Sequence, residues 1–350
     1  MRIALIRREY ITHLDGVNSF IALLAEGLAK LGHDPLIMTW CYNGIAKDQL
    51  PGWFAKMHGL STTIPIYTLQ TRPCQGDPWL KMTWDWWWKG SRLLHKEGVD
   101  VTIVNGVVPL RFSPKIIVNH GVFTAGRFYY QMAKLLYKKY DTIVCVGHKL
   151  SDEVKKTLGV DCRVIPLPMK LDLYESVNLG ERENVIVHIG TRPVKNPQIS
   201  IETIKILRKR GYDVKLVIIG ASIGIPRDEA MEFRSGLTES EKLELLCRAK
   251  ALILPSGYET FSYVTLEAMA CGTPVVASSA VPEEVVINGY NGIRVNGYDS
   301  RDYADALESL LRNEELRLRL HSNGLRFVKQ FDHISVTKKY LDIIGEVYEG

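Results

Sequence analysis

At 350 residues with 46% hydrophobic composition, the chain is too long for one typical core and long enough for two. Its net charge of +5 is uneven, with 21 Lys and Arg against 13 Asp and Glu in residues 1–165 and 23 against 26 in the rest, so the basic half either faces an anionic partner or is a solvated surface. Cysteines 41, 74, 145, 162, 247 and 271 include no C-x-x-C pair, which speaks against zinc and a disulfide framework and for a reducing compartment, while zinc-finger spacing and basic helices interleaved with aromatics are both absent, against nucleic acid.

Short apolar, β-branched runs alternate with helical periodicity along the chain, the pattern of parallel sheets covered by helices. MRIALI reads as the first strand; beginning at Met1, it leaves no room for a signal peptide. No stretch approaches the ~20 apolar residues that span a bilayer, so a soluble, cytoplasmic protein is expected. Residues 13–17 form a loop and 19–31 a helix closed by Gly32, with Phe20, Leu23, Leu24, Leu28 and Leu31 as its buried stripe. PLIMTW is the next strand.

The segment WLKMTWDWWWKGSRLLHKEG reads as a helix leading into strand VTIV. Successive helical residues point about 100° apart, so one buried stripe cannot hide Trp86, Trp87 and Trp88 together, and at least one ring is exposed. With Trp84, Lys81, Lys89, Arg92 and Lys96 nearby, such a ring suits a peripheral contact on the inner face of a membrane or stacking on an acceptor sugar; packing against loops is the plainer reading. Strands follow over 101–104, 115–118 and 142–146, and the first domain is expected to end near Ile165.

Pro166, Pro168 and the polar stretch 172–184 read as a linker. VIVHIG then restarts the alternation: a helix over 197–210, strand VKLVIIG, a helix over 239–249, strand ALILP, a helix over 262–271 stopped by Gly272, strand PVVAS and a helix over 282–288. GYNG turns into GIRV, and helices over 300–312, 314–331 and 334–347 close the chain. There is no internal repeat and no low-complexity tract.

The stretch SGYETFSYVTLEAMACGTPVVAS carries the chemistry. Its helix start offers backbone NH donors and the positive end of a dipole, which favour an anion such as a diphosphate. Glu259 lies on the loop before the helix, and Glu267 sits roughly 7 Å along the axis from Ser262. Two glutamates at this spacing are by themselves an ordinary surface feature. Ala268, Met269, Ala270 and Cys271 make the helix apolar, however, so a carboxylate beside them needs a partner, and a ligand is one candidate.

On these residues the sequence resembles glycosyltransferase family 4 of the GT-B superfamily, over nearly its whole length and most densely over 241–295. The resemblance implies an α/β fold of two Rossmann-like domains with parallel sheets facing across a cleft. Residues 1–165 and 334–350 would form the acceptor side and 166–333 the donor-binding domain. The implied activity is retaining, metal-independent transfer of a hexosyl or related group. The donor would be a nucleoside diphosphate sugar, and the acceptor a hydroxyl of a glycan, lipid or small molecule. No cofactor is implied beyond that co-substrate, and no D-x-D motif offers a metal a site.

Residue by residue, the resemblance sets Glu259 against donor sugar hydroxyls and Glu267 on the ribose, with the backbone of Thr260, Phe261, Ser262 and Tyr263 cradling diphosphate and sugar. In VIVHIGTRPVKNP, Gly190 lies at the nucleotide, and Arg192 and Lys195 grip the diphosphate at a closer spacing than the family commonly has. Gly220 approaches the nucleotide and the backbone of 234–237, ending at Leu237, reads the base edge. Gly16 in HLDGVNSF meets donor phosphate or acceptor, and His120 in VNHGVF the transferred sugar. Asp15 stands where the family has a glycine, and SSAVPEE lacks the paired glycines that often precede PE. These departures motivate a second reading, a nucleotide-sugar-binding scaffold without transferase activity. A nicotinamide oxidoreductase is excluded, since no G-x-G-x-x-G follows the first strand.

Overall fold

The computed structural model describes residues 1–12, 15–70, 79–121, 127–175, 182–221 and 229–349. The chain divides into two compact units, Met1–Met169 with Phe331–Gly350, and Lys170–Gln330. Each is a parallel sheet covered by helices. No helix among the described residues is long and apolar enough to cross a membrane.

The first sheet holds β1 (Arg2–Tyr10), β2 (Asp34–Cys41), β3 (Ile66–Thr68), β4 (Val101–Asn105), β5 (Lys115–Asn119), β6 (Thr142–Cys145) and β7 (Arg163–Val164), in the order β3-β2-β1-β4-β5-β6-β7. Ile3, Ala4, Leu5 and Ile6 of β1 are fully buried, as a strand covered on both faces must be. Strand order reverses between β1 and β4, which opens a crevice at their carboxyl ends. The helix Gly16–Lys30 starts on Asp15, whose side chain accepts from the Asn18 amide. Against it packs the last helix, His333–Glu349, so closely that a Cβ on Gly27 would lie 2.1 Å from Thr337 Oγ1.

The tryptophan segment is α-helical over Trp79–Asp85, widens to a π turn over Trp86–Gly90 and is α-helical again over Ser91–Lys96. Trp86 is fully buried, and its Nε1 donates to the carbonyl of Arg8 at 2.8 Å. A Cβ on Gly90 would stand 2.7 Å from that ring. Trp87 is half-buried, whereas Trp84 and Trp88 are exposed.

The second sheet holds β8 (Glu183–Ile189), β9 (Lys215–Ile219), β10 (Met231–Arg234), β11 (Ala249–Leu254), β12 (Val275–Ser278) and β13 (Ile293–Val295), in the order β10-β9-β8-β11-β12-β13. Ile186, Leu216, Ile253 and Val276 form its core with Tyr303 and Leu307 of the helix Ser300–Arg312. Its order reverses between β8 and β11. Just before β8, the Arg182 guanidinium donates to the carbonyls of Cys247, Ala249, Cys271 and Gly272 and to Thr273 Oγ1, closing the ends of these strands and helices with one side chain.

Two expectations are corrected. Residues 282–288 make a single turn and not a helix: Arg294 Nη1 takes the carbonyls of Val281 and Val286, and Asn291 Nδ2 that of Val285, so carbonyls a helix would use are already committed. The cysteines do pair, Cys145 with Cys162 and Cys247 with Cys271, with Cα atoms 5.7 and 4.6 Å apart. Pairs that distant in sequence leave no spacing motif. Residues 176–181 of the expected linker, and Cys74, lie outside the described residues.

Candidate functional site

In the second unit the reversal point is built by two loops that hold each other. β8 leaves through Gly190 at φ 104°, where a Cβ would sit 2.9 Å from Lys195 Cγ. The short turn Pro193–Lys195 follows, then Asn196 in the left-handed region at φ 51°. Asn196 Nδ2 donates to the Pro255 carbonyl at 2.9 Å, and the Gly257 amide to the Val194 carbonyl at 2.6 Å. The loop after β11 is thereby fixed to the turn after β8, and Lys195 Nζ lies 2.5 Å from Glu259 Oε1, with both side chains about nine-tenths buried.

Arg192, in the same turn, is exposed and makes no ion pair among the described residues. Gly220, at the end of β9, has φ 155°, and a Cβ there would lie 2.8 Å from the Thr191 side chain. Its amide donates to the Arg234 carbonyl at 2.9 Å, so the main chains leaving β9 and β10 stay side by side. Leu237, half-buried, follows β10. Beneath the turn, His188 donates from Nε2 to the Gly190 carbonyl at 2.7 Å and accepts at Nδ1 from Ser200 Oγ at 2.8 Å. Burial pulls its pKa down to about 4 against the raising effect of the Gly190 bond, and Lys195 adds to the lowering.

After Glu259 and the half-buried Thr260, Phe261 is buried and Ser262 takes φ 106°, a strained value for a side chain other than glycine. Ser262 caps the helix Tyr263–Ala270 without using its hydroxyl on the helix. Ser262 Oγ is buried with no hydrogen-bond partner among the described residues, and so is Glu267 Oε2. Buried polar atoms are rarely left unmatched, because each forfeits its hydration. Hydroxyl or amide donors on a ligand would satisfy them.

Glu267 Oε1 is held by a residue that sequence reasoning missed. Lys242, on the helix Glu239–Arg248, places Nζ 2.7 Å from Glu267 Oε1 and 2.7 Å from Glu239 Oε1. Burial raises the Glu267 pKa and Lys242 opposes the rise; burial alone would lower Lys242, but the two carboxylates hold it above its ordinary value. Tyr174 is also near these carboxylates, and burial first, then Glu267, raises its pKa. In sequence Lys242 is one charge among many in ESEKLELLCR. Its only local signal is the capping box of Thr238 and Glu241, which fixes how the helix starts and so which way Lys242 faces.

In the first unit, a cleft of about 250 Å³ opens at the carboxyl ends of β1, β4 and β5, lined by Arg7, Asn105, His120 and Tyr137 among others. His120 Nε2 is 2.8 Å from Asn105 Oδ1, and its ring meets Phe20 edge-on at 4.8 Å. Burial lowers its pKa to about 3, with Arg7 contributing. Arg7 pairs with Asp15 at 2.9 Å, beside Gly16, the exposed first residue of its helix. His13 and Leu14 of HLDGVNSF, and Val122 and Phe123 of VNHGVF, lie outside the described residues. Among the described residues no three His, Cys, Asp or Glu gather as a metal site requires.

Residues 14–173 match the family described as Glycosyltransferase Family 4, and residues 171–327 the one described as Glycosyl transferases group 1. The chain belongs to glycosyltransferase family 4. This family 4 glycosyltransferase is 26% identical over 270 residues to an uncharacterized glycosyltransferase of Methanocaldococcus jannaschii, covering 69% of this chain and 74% of that one. It is 27% identical over 212 residues to a D-inositol 3-phosphate glycosyltransferase of Stackebrandtia nassauensis, covering 55% and 48%; the match thus spans about half that relative's length. Among solved structures, Anabaena HepE in complex with UDP-glucose superposes with a TM-score of 0.76 at 15% identity, covering 99% of this chain and all of that one. Likeness at that identity shows a common fold, and the fold is GT-B.

Proposed function

We propose that this family 4 glycosyltransferase moves a hexosyl or related group, with retention and without a metal, from a nucleoside diphosphate sugar to a hydroxyl of a glycan, lipid or small molecule. The observation that carries the donor half is the second-unit loop pair: Lys195 against Glu259 beside a helix start, with Ser262 Oγ and Glu267 Oε2 buried and unmatched among the described residues. Glu267 takes the ribose hydroxyls through Oε2, and Glu259 the hydroxyls of the transferred sugar. Gly190, Gly220 and the backbone at Leu237 line the nucleotide, while residues 260–263 receive the diphosphate. Gly16 and His120 of the first unit are assigned to the acceptor and transferred sugar. The fold neighbour named as a UDP-glucose complex supports the donor class.

In the reaction the bond from sugar C1 to the β-phosphate oxygen breaks. The acceptor oxygen forms its bond to C1 on the face the diphosphate leaves, and its proton passes to the departing phosphate oxygen. Negative charge grows on that diphosphate. Arg192, Lys195 and the positive end of the helix Tyr263–Ala270 stabilise it with charges already in place. Nucleotide release from a panel of UDP, GDP and ADP sugars tests the reading. Glu259→Gln should remove most turnover while the protein still binds nucleotide, and near-normal turnover would remove Glu259 from its assigned role.

A further inference from the structure

The helical run from Trp79 to Lys96 carries an outward apolar stripe. Leu80, Trp84 and Trp88 are 74, 64 and 54% exposed. Four-residue steps keep them on one side of the helix, and the π turn at Trp86–Gly90 holds back the rotation an α-helix accumulates over such steps. The rings form one patch: Trp84 lies 5.1 Å from Trp87, and Trp87 6.2 Å from Trp88. Arg92 and Lys96 continue the four-residue stripe beyond Trp88, both exposed.

Among the described residues of this helical run, the exposed charge has one sign. Lys81, Arg92 and Lys96 are exposed and make no ion pair among the described residues, and the Arg111 guanidinium sits 4.8 Å above the Trp87 ring. The one acid of residues 79–96 is Asp85. It is 3% exposed, paired with Lys89 at 2.8 Å and bonded by Trp40 Nε1 and Gln70 Nε2, so it shows no charge outward. The surface thus offers indoles and an aliphatic side chain flanked by cations.

We infer that this face docks onto an anionic lipid bilayer surface, with Leu80, Trp84 and Trp88 entering the headgroup region and Lys81, Arg92 and Lys96 meeting lipid phosphates. Charge complementarity selects this occupant. A second copy would set cations against cations across a twofold axis. A neutral glycan needs acceptors as well as donors beside the rings, and the exposed charged groups among the described residues of this run are cations. The inference is independent of the transferase reading.

The test is flotation of the full chain with vesicles of phosphatidylcholine mixed with phosphatidylglycerol, and with phosphatidylcholine alone. The wild type should float with the mixed vesicles at low salt, show a blue shift of indole emission and detach at high salt. Leu80→Ser/Trp84→Ser/Trp88→Ser should lose flotation, and so, separately, should Arg92→Glu/Lys96→Glu. Both sets lie on the exposed face, so melting temperature and the melting shift produced by nucleotide should stay unchanged. Wild type left unfloated by anionic vesicles at low salt, or either variant floating as well as wild type, overturns the inference. So does wild type that sediments as a dimer which the serine variant abolishes.

Discussion

Replacing Lys242 by Met would leave the Glu267 carboxylate, whose side chain is 8% exposed, without the ammonium now 2.7 Å away. Removing one member of a buried ion pair costs about 3–5 kcal/mol when the other must stay ionised. Glu267 has a cheaper way out, because it can take up a proton. From its reference pKa of 4.5, neutralising it at pH 7 costs about 3.4 kcal/mol, at about 1.4 kcal/mol per pH unit, and this sets the ceiling. At pH 5.5 the ceiling falls to about 1.4 kcal/mol. The sign follows from the shift: a carboxyl whose folded pKa is raised keeps its contribution below its unfolded pKa and loses it as pH rises towards the folded value. Urea denaturation at pH 7 and 5.5 should therefore show a destabilisation of Lys242→Met that shrinks with acid. Nucleotide affinity at pH 7 should drop about tenfold, since a protonated Glu267 accepts fewer hydrogen bonds. Adding Glu267→Gln should restore most of the stability and none of the affinity. A penalty equal at the two pH values, or one below about 1 kcal/mol at pH 7, would refute the reasoning.

His188 and His120 are held neutral in the fold, with pKa values lowered to about 4 and about 3 chiefly by burial, so each supports stability above pH 6.5 and withdraws it as pH falls. Between pH 7 and pH 5 each should remove about 2 kcal/mol; denaturation of His188→Asn should show a smaller acid loss by about that amount, and an unchanged loss would contradict the assignment. Gly220→Ala places a Cβ 2.8 Å from the Thr191 side chain and 3.2 Å from its amide nitrogen at φ 155°. It should cost about 1–3 kcal/mol in a chemical melt, and a neutral result would show that the main chain there relaxes.

Much of the fold was legible because strand and helix alternation is written in local periodicity. The helix Ser300–Arg312 stands where the periodicity placed it, and the expected helix over 197–210 is Pro197–Lys209. Gly32 and Gly272, both with positive φ, end helices as read. The short strands β3, β7 and β10 escaped notice because two to four residues carry too little pattern and owe their strand character to a bonded neighbour.

Within the candidate site, Glu259 and Glu267 were found because they sit on one continuous stretch of sequence. Tertiary structure alone set Lys195 on Glu259, 64 residues away, and Lys242 on Glu267. It also chose Trp86 as the ring to bury among residues that look alike in sequence, and gave the carbonyls of Val281, Val285 and Val286 to Arg294 and Asn291 where a helix was expected. Periodicity reports which face of an element is apolar. The partner of a buried charge, or of a carbonyl, depends on which distant residue the packed sheets bring within hydrogen-bond reach.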